Sequence, residues 1–338
     1  MPYSQILSRA FEITRRQPAL WVFGFLVALF GGAGRGGGPS YNFNGFNGGR
    51  VPRFQGPPGF NLNLSTMLGL IAIVIGLLLV LAIIAAIVRY VAEVALIDGA
   101  ARADDDEPVT VAGGLRRGWS RDAFFLFLTR LLLALPLIVV AIGIGVLVAG
   151  ILAGGIGAAA ATDRGVFAVL GIGLFLLVLL PTIALLILLA VVLALLGQWA
   201  AREVVLSQAG PIEAIGAAWG LARTYLKETI LFGLLMWAIS LGFGLLMTPL
   251  LLVAGALIIG PAFLAYQSAN SLVAALVVAA PLALLALIGF AIIAGLFVAF
   301  SSTAWTLAWR HLRGISSASA DLSEPIPDAG DSPVLATG

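Results

Sequence analysis

From Thr229 to Trp309 the chain carries no Asp, Glu, Lys or Arg. The helices of a soluble domain need a polar face, so an uncharged run of this length belongs in lipid. A bilayer core of about 30 Å is crossed by about 20 apolar residues rising about 1.5 Å each, and a lipid-facing backbone must satisfy its own hydrogen bonds, which selects helices. The run is too long for one crossing. Its break is expected at Gly260-Pro261, ahead of the polar segment Tyr266 to Ser271, giving spans 228–259 and 272–309. Composition agrees: 61% of the 338 residues are hydrophobic and 10% charged, and the mean hydropathy is +1.10.

Three further spans follow from the same criterion: 66–97, built on the uncharged stretch Met67 to Val88, then 123–155 and 166–200, divided by Asp163 and Arg164. A sixth, 18–33, rests on the short apolar segment Ala19 to Phe30. Its aromatic Trp21, Phe23, Phe25 and Phe30, and the lack of an Ala-x-Ala site, favour a retained signal anchor over a cleaved leader. The expected fold is therefore an all-α polytopic membrane protein with six transmembrane helices in one domain, residues 1–315. Positively charged loops resist translocation. Thirteen Lys and Arg fall in the two termini and alternate loops, against four in the intervening loops, placing both termini in the cytoplasm. The Gly-, Asn- and Pro-rich loop 31–64 is then extracytoplasmic, and the tail 316–338 is expected to be disordered and cytoplasmic. Seventeen arginines against the single Lys227, with abundant Ala, Gly and Leu, suggest a GC-rich bacterium and hence its cytoplasmic membrane.

An approximate threefold repeat organises the sequence: an amphipathic segment, an outward span and a returning span. Ile6, Leu7, Ala10 and Phe11 precede Arg15; Val111, Leu115 and Trp119 precede Arg121; Ile212, Ile215, Trp219 and Ala222 precede Arg223. Such segments, 3–17, 109–121 and 211–224, are expected to lie in the cytoplasmic interface with apolar faces down and arginines towards phosphates. Pro181 precedes Glu203, and Pro281 precedes Thr303, by the same 22 positions. Three repeated hairpins with three interfacial helices result.

Ala10-Phe11 through Arg15 to Pro18-x-x-Trp21-x-x-Gly24, with Ala218-Trp219-x-Leu221-x-Arg223, resembles bacterial six-span proteins related to the glycerophosphodiester phosphodiesterase membrane-domain group, over roughly residues 3 to 313. Some members of that group look like fusions to a soluble catalytic barrel. No segment here is long or polar enough to form one, so the resemblance implies an architecture and no activity.

Zero cysteines and one histidine exclude thiolate chemistry and leave little to build a haem, copper or zinc site; no cofactor or metal is expected. A formal charge of +2 indicates no nucleic acid. Seven residues form a candidate lipid-headgroup or gate set: Arg15, Arg89, Glu93, Arg121, Arg202, Glu203 and Arg223. Arg89 and Glu93 share a helix face, whereas adjacent Arg202 and Glu203 face differently, and a charge cluster closing the inner ends of the bundle is the plainer reading. Gly150-x-x-x-Gly154 is expected to admit a neighbouring helix backbone. Asp104 to Glu107 is expected to be a solvated turn, and Ser301, Ser302, Thr303 and Thr306 to bond back to their own helix. The functional expectation is a non-enzymatic membrane protein that organises lipids or serves as an accessory or scaffold subunit, with membrane lipids, a membrane-protein partner or a second copy as partners. A permease or channel for a lipid-like or uncharged solute is the alternative.

Overall fold

A computed structural model describes residues 2–31, 64–162 and 165–315. The loop within 32–63, the Asp163–Arg164 divide and the tail 316–338 lie outside the described residues. Those described are helical, in the order α1 (Tyr3–Arg16), α2 (Pro18–Gly31), α3 (Leu64–Asp104), α4 (Val111–Gly118), α5 (Arg121–Thr162), α6 (Gly165–Leu206), α7 (Pro211–Thr224), α8 (Leu226–Ala269) and α9 (Leu272–Leu312). Five of them, α3, α5, α6, α8 and α9, are long and apolar enough to cross a membrane. At 14 residues, α2 spans about 21 Å and is too short for a full crossing by length.

The break expected at Gly260-Pro261 does not occur. α8 runs through both residues to Ala269. Proline inside a helix removes one hydrogen bond, and a membrane helix tolerates this because its other backbone groups have no water to turn to. The chain turns instead at Asn270, whose φ of +47° no helix can continue. Pro136, Pro181, Pro249 and Pro281 likewise sit inside continuous helices.

Two compact units divide the chain: Met1–Trp119 with Leu234–Gly338, and Ser120–Gly233. In the first, α2 packs against both α3 and α9, and α1 packs on α9. Residues 68–84 of α3 are exposed on every side, whereas the segment from Val91 to Ile97 is buried on every side. Packing is thus concentrated towards the charged ends of the helices. Phe23 and Leu20 of α2 are fully buried there. The corner from α1 to α2 is fixed by Trp21, whose Nε1 donates to the Thr14 carbonyl at 2.6 Å. Thr110 caps α4, its Oγ1 accepting from the Gly113 amide at 3.2 Å. α4 then turns Gly114 and Gly118 inward, so closely that a Cβ on Gly118 would lie 2.2 Å from the Val91 carbonyl oxygen. Phe243 of α8 stacks on Phe297 of α9 at 4.2 Å between ring centroids.

In the second unit α5 pairs with α6, and α7 packs on both. Pro211 opens α7, where its missing N–H costs nothing. Ala214, Ala218 and Ala222, four apart, form the stripe that α7 buries.

Candidate functional site

The densest polar chemistry in the first unit lies where α3 and α9 end beside the middle of α1. Arg310 follows the long uncharged stretch of α9 and is buried. Its Nη1 donates to the Ala101 carbonyl at 2.6 Å and to Asp105 Oδ2 at 2.9 Å. Its Nη2 donates to Asp105 Oδ1, which completes a bidentate grip, and its Nε lies 3.3 Å from Asp104 Oδ2. Arg9 of α1 approaches the same turn, with Nε 3.6 Å from Asp104 Oδ1 and Nη2 3.4 Å from Asp106 Oδ1. Asp104 and Asp105 therefore form a clasp between three helices, while Asp105, Asp106 and Glu107 of the same turn stay exposed, so the expected solvated turn is buried only at Asp104. The reason is desolvation: Asp104 is 3% exposed, and a carboxylate that deep must be paired. A second cluster adjoins it, Asp98 taking Arg102 at 3.0 Å and Arg117 of α4 at 3.4 Å. The signal available in the sequence was an excess of acid at 104–107 that needed counterions from elsewhere in the chain.

Arg89 and Glu93 lie one turn apart on α3, with Glu93 buried. The Arg89 guanidinium sits 5.5 Å from the centroid of the Tyr90 ring. Its side chain also lies beside Gly31 of α2, where a Cβ would meet Arg89 Nε at 3.4 Å. Arg202 and Glu203 belong to the second unit, and both are buried, at 2% and 1% exposure. Arg202 Nη1 donates to the Gln198 carbonyl and side-chain oxygens at 2.8 and 2.7 Å; Ser207 Oγ donates to Glu203 Oε2 at 3.1 Å. Gln198 lies one turn before Arg202 and Ser207 one turn after Glu203. Thr303 and Thr306 bond back to Ala299 and Ser302 within α9, both at 2.9 Å.

Arg15, Arg121 and Arg223 are exposed. Arg121 lies 4.9 Å above the Phe125 ring and Arg223 4.9 Å above the Trp219 ring. Among the described residues, no carboxylate pairs with Arg15, Arg116, Arg121, Arg223 or Lys227. The apolar residues around them divide differently from the expected stripes. On α4, Val111, Leu115 and Trp119 all face outward. On α1, Ile6 and Ala10 instead join Ile13 in the protein interior, leaving Phe11 outside, because the spacing of four and three makes these a stripe that packs into the protein. On α7, Ala222 is buried while Ile212 and Trp219 are exposed. Gly150 and Gly154 are exposed, and no described atom of another element lies within 4 Å of where a Cβ on either would stand.

Among the described residues, no group of three His, Asp or Glu is disposed to hold a metal ion. Arg310 with Asp104 and Asp105 ties the ends of α3 and α9 together, whereas the bonds of Arg202 and Glu203 named above stay within one turn of each residue. No curated protein and no solved structure matches the chain. A model for a family of unknown function, DUF7544, matches residues 7–309, and the chain belongs to that family.

Proposed function

We propose that this protein is a non-enzymatic, multi-pass protein of the bacterial cytoplasmic membrane that organises anionic lipid, alone or as an accessory subunit of a membrane complex. The observation that carries this reading is the set of cations without carboxylate partners. Arg15, Arg116, Arg121 and Arg223 all lie on short helices or at their ends, beside outward-facing Phe11, Leu115, Trp119 and Trp219. A cation with no carboxylate partner among the described residues, next to exposed apolar side chains, suits the phosphate layer of a bilayer. By contrast, the cations inside the packed ends of the helices, Arg310 first among them, are already neutralised.

In this reading the five long helices cross the membrane and α2 makes a sixth, partial or tilted segment. The charged ends of α3, α6 and α9 face the cytoplasm with both termini. A repeated design is supported by the order of elements, a short helix followed by two helices in each third of the chain. It is supported also by burial, since Glu203 and Thr303, each 22 positions after its proline, are 1% and 0% exposed.

The test is lipid mass spectrometry on the protein extracted in polymer discs, against a matched membrane protein, with the triple variant Arg15→Gln, Arg121→Gln, Arg223→Gln. Enrichment of anionic lipid by the native chain and its loss in the variant is the expected result. Equal lipid profiles would refute the reading.

A further inference from the structure

Within the second unit, two of the cations that pair with no carboxylate among the described residues stand together where α7 gives way to α8. α7 ends at Thr224 and α8 begins at Leu226, so Arg223 and Lys227 flank the single non-helical residue Tyr225. Arg223, Tyr225, Leu226 and Lys227 are all exposed. Glu228, the nearest acid in sequence, forms no ion pair with either cation. The Arg223 guanidinium lies 4.9 Å from the centroid of the Trp219 ring. A cation placed over an indole face is held without being neutralised, and the N–H edge of the guanidinium stays available for a bidentate phosphate contact. Trp219 and Leu226 add exposed apolar surface on either side, 44% and 56% accessible.

We propose that this α7–α8 elbow is a headgroup site for an anionic phospholipid: Arg223, steadied on Trp219, grips the phosphate, Lys227 adds the second positive charge, and Trp219 and Leu226 enter the acyl boundary. The assignment of a lipid, and not of a soluble phosphate, follows from those two apolar side chains, which a soluble ligand would leave in water. This site rests on the lipid-organising function proposed above and gives it a location and a chemistry.

Lys227 is the only lysine of the chain, so an amine reagent reads this elbow through one side chain. The full chain is placed in phosphatidylcholine discs with and without phosphatidylglycerol, and two quantities are followed: labelling of Lys227, and retained lipid by native mass spectrometry. Phosphatidylglycerol is expected to slow labelling in the native chain, and Arg223→Gln to weaken its retention about fivefold, the effect of one cation at a membrane surface. If the native chain retains phosphatidylglycerol but Lys227 labels at the same rate with and without it, or Arg223→Gln retains as much, the elbow site is overturned while the broader function stands. If the native chain prefers neither lipid, both fail. Equal protection of Lys227 by inorganic phosphate in pure phosphatidylcholine discs would overturn the assignment to lipid.

Discussion

Gly24 of α2 and Gly295 of α9 face one another where the two helices cross, and a Cβ on Gly24 would stand 2.2 Å from the Gly295 carbonyl oxygen. From the other side, a Cβ on Gly295 would stand 2.6 Å from the Phe25 backbone. Backbone cannot step aside as a side chain can, so the helices must separate to admit either methyl group. This contact lets a helix of only 14 residues sit against α9 with Leu20 and Phe23 fully buried.

Gly24→Ala or Gly295→Ala is expected to destabilise the first unit by about 1–3 kcal/mol, the usual cost of overpacking. The double variant should cost less than the sum, because one separation serves both methyl groups. Denaturant titration in detergent, followed by tryptophan fluorescence, measures each. Strict additivity would show that the two glycines do not share a contact.

Arg310→Gln removes the cation that holds Asp104 and Asp105 and leaves buried carboxylate behind. Loss of one partner from a buried pair costs about 3 kcal/mol or more. Arg16→Gln breaks a pair of 2.7 Å with Glu12 that is exposed on both sides, and should cost about 0.5 kcal/mol or less. Thermal unfolding of the two variants in one detergent separates these cases. Similar shifts would mean that the clasp is solvated in solution.

How much of this was legible in the sequence depended on the range of the interaction. Uncharged stretches such as Thr229 to Trp309 announce long helices because lipid acts on every residue locally. The end of α8 was misplaced because Gly260-Pro261 would terminate a helix in water, whereas in lipid the helix gives up one bond and continues to Asn270. Asp105 and Arg310 are 205 positions apart, so the acidic run could signal a need for counterions without indicating which cation supplies them. Gly24 and Gly295 show the same limit: they lie in distant parts of the sequence, and nothing around Gly295 announces that the two backbones meet. Arg121 and Arg223 were legible as exposed cations because each sits over an aromatic ring four positions away in the sequence, Phe125 and Trp219.

Gly118 lets α4 lie against α3, and its replacement by Leu should push α4 away from Val91, since the first carbon alone would meet the Val91 carbonyl at 2.2 Å. Arg116 and Arg117 then provide a direct reading through trypsin, which cuts only backbone free to leave its helix. Cleavage there is expected to speed up several-fold in Gly118→Leu. An unchanged rate would show that α4 is not held by this contact.

The chain has no cysteine, so each introduced thiol is unique and reports the side of the membrane it faces. α9 is 41 residues long, about 61 Å, roughly twice a bilayer core. Its first turn follows Ser271, and its last turns reach the clasp formed with Asp104 and Asp105. Glu107 lies just beyond that clasp, and Ala209 lies in the α6–α7 connection. In the proposed orientation, Ser271→Cys is labelled by a membrane-impermeant maleimide in intact spheroplasts. Glu107→Cys and Ala209→Cys should react only after permeabilisation. Labelling of Ser271→Cys and Glu107→Cys from the same side would mean that α9 does not cross the bilayer, since the clasp holds its far end beside Glu107.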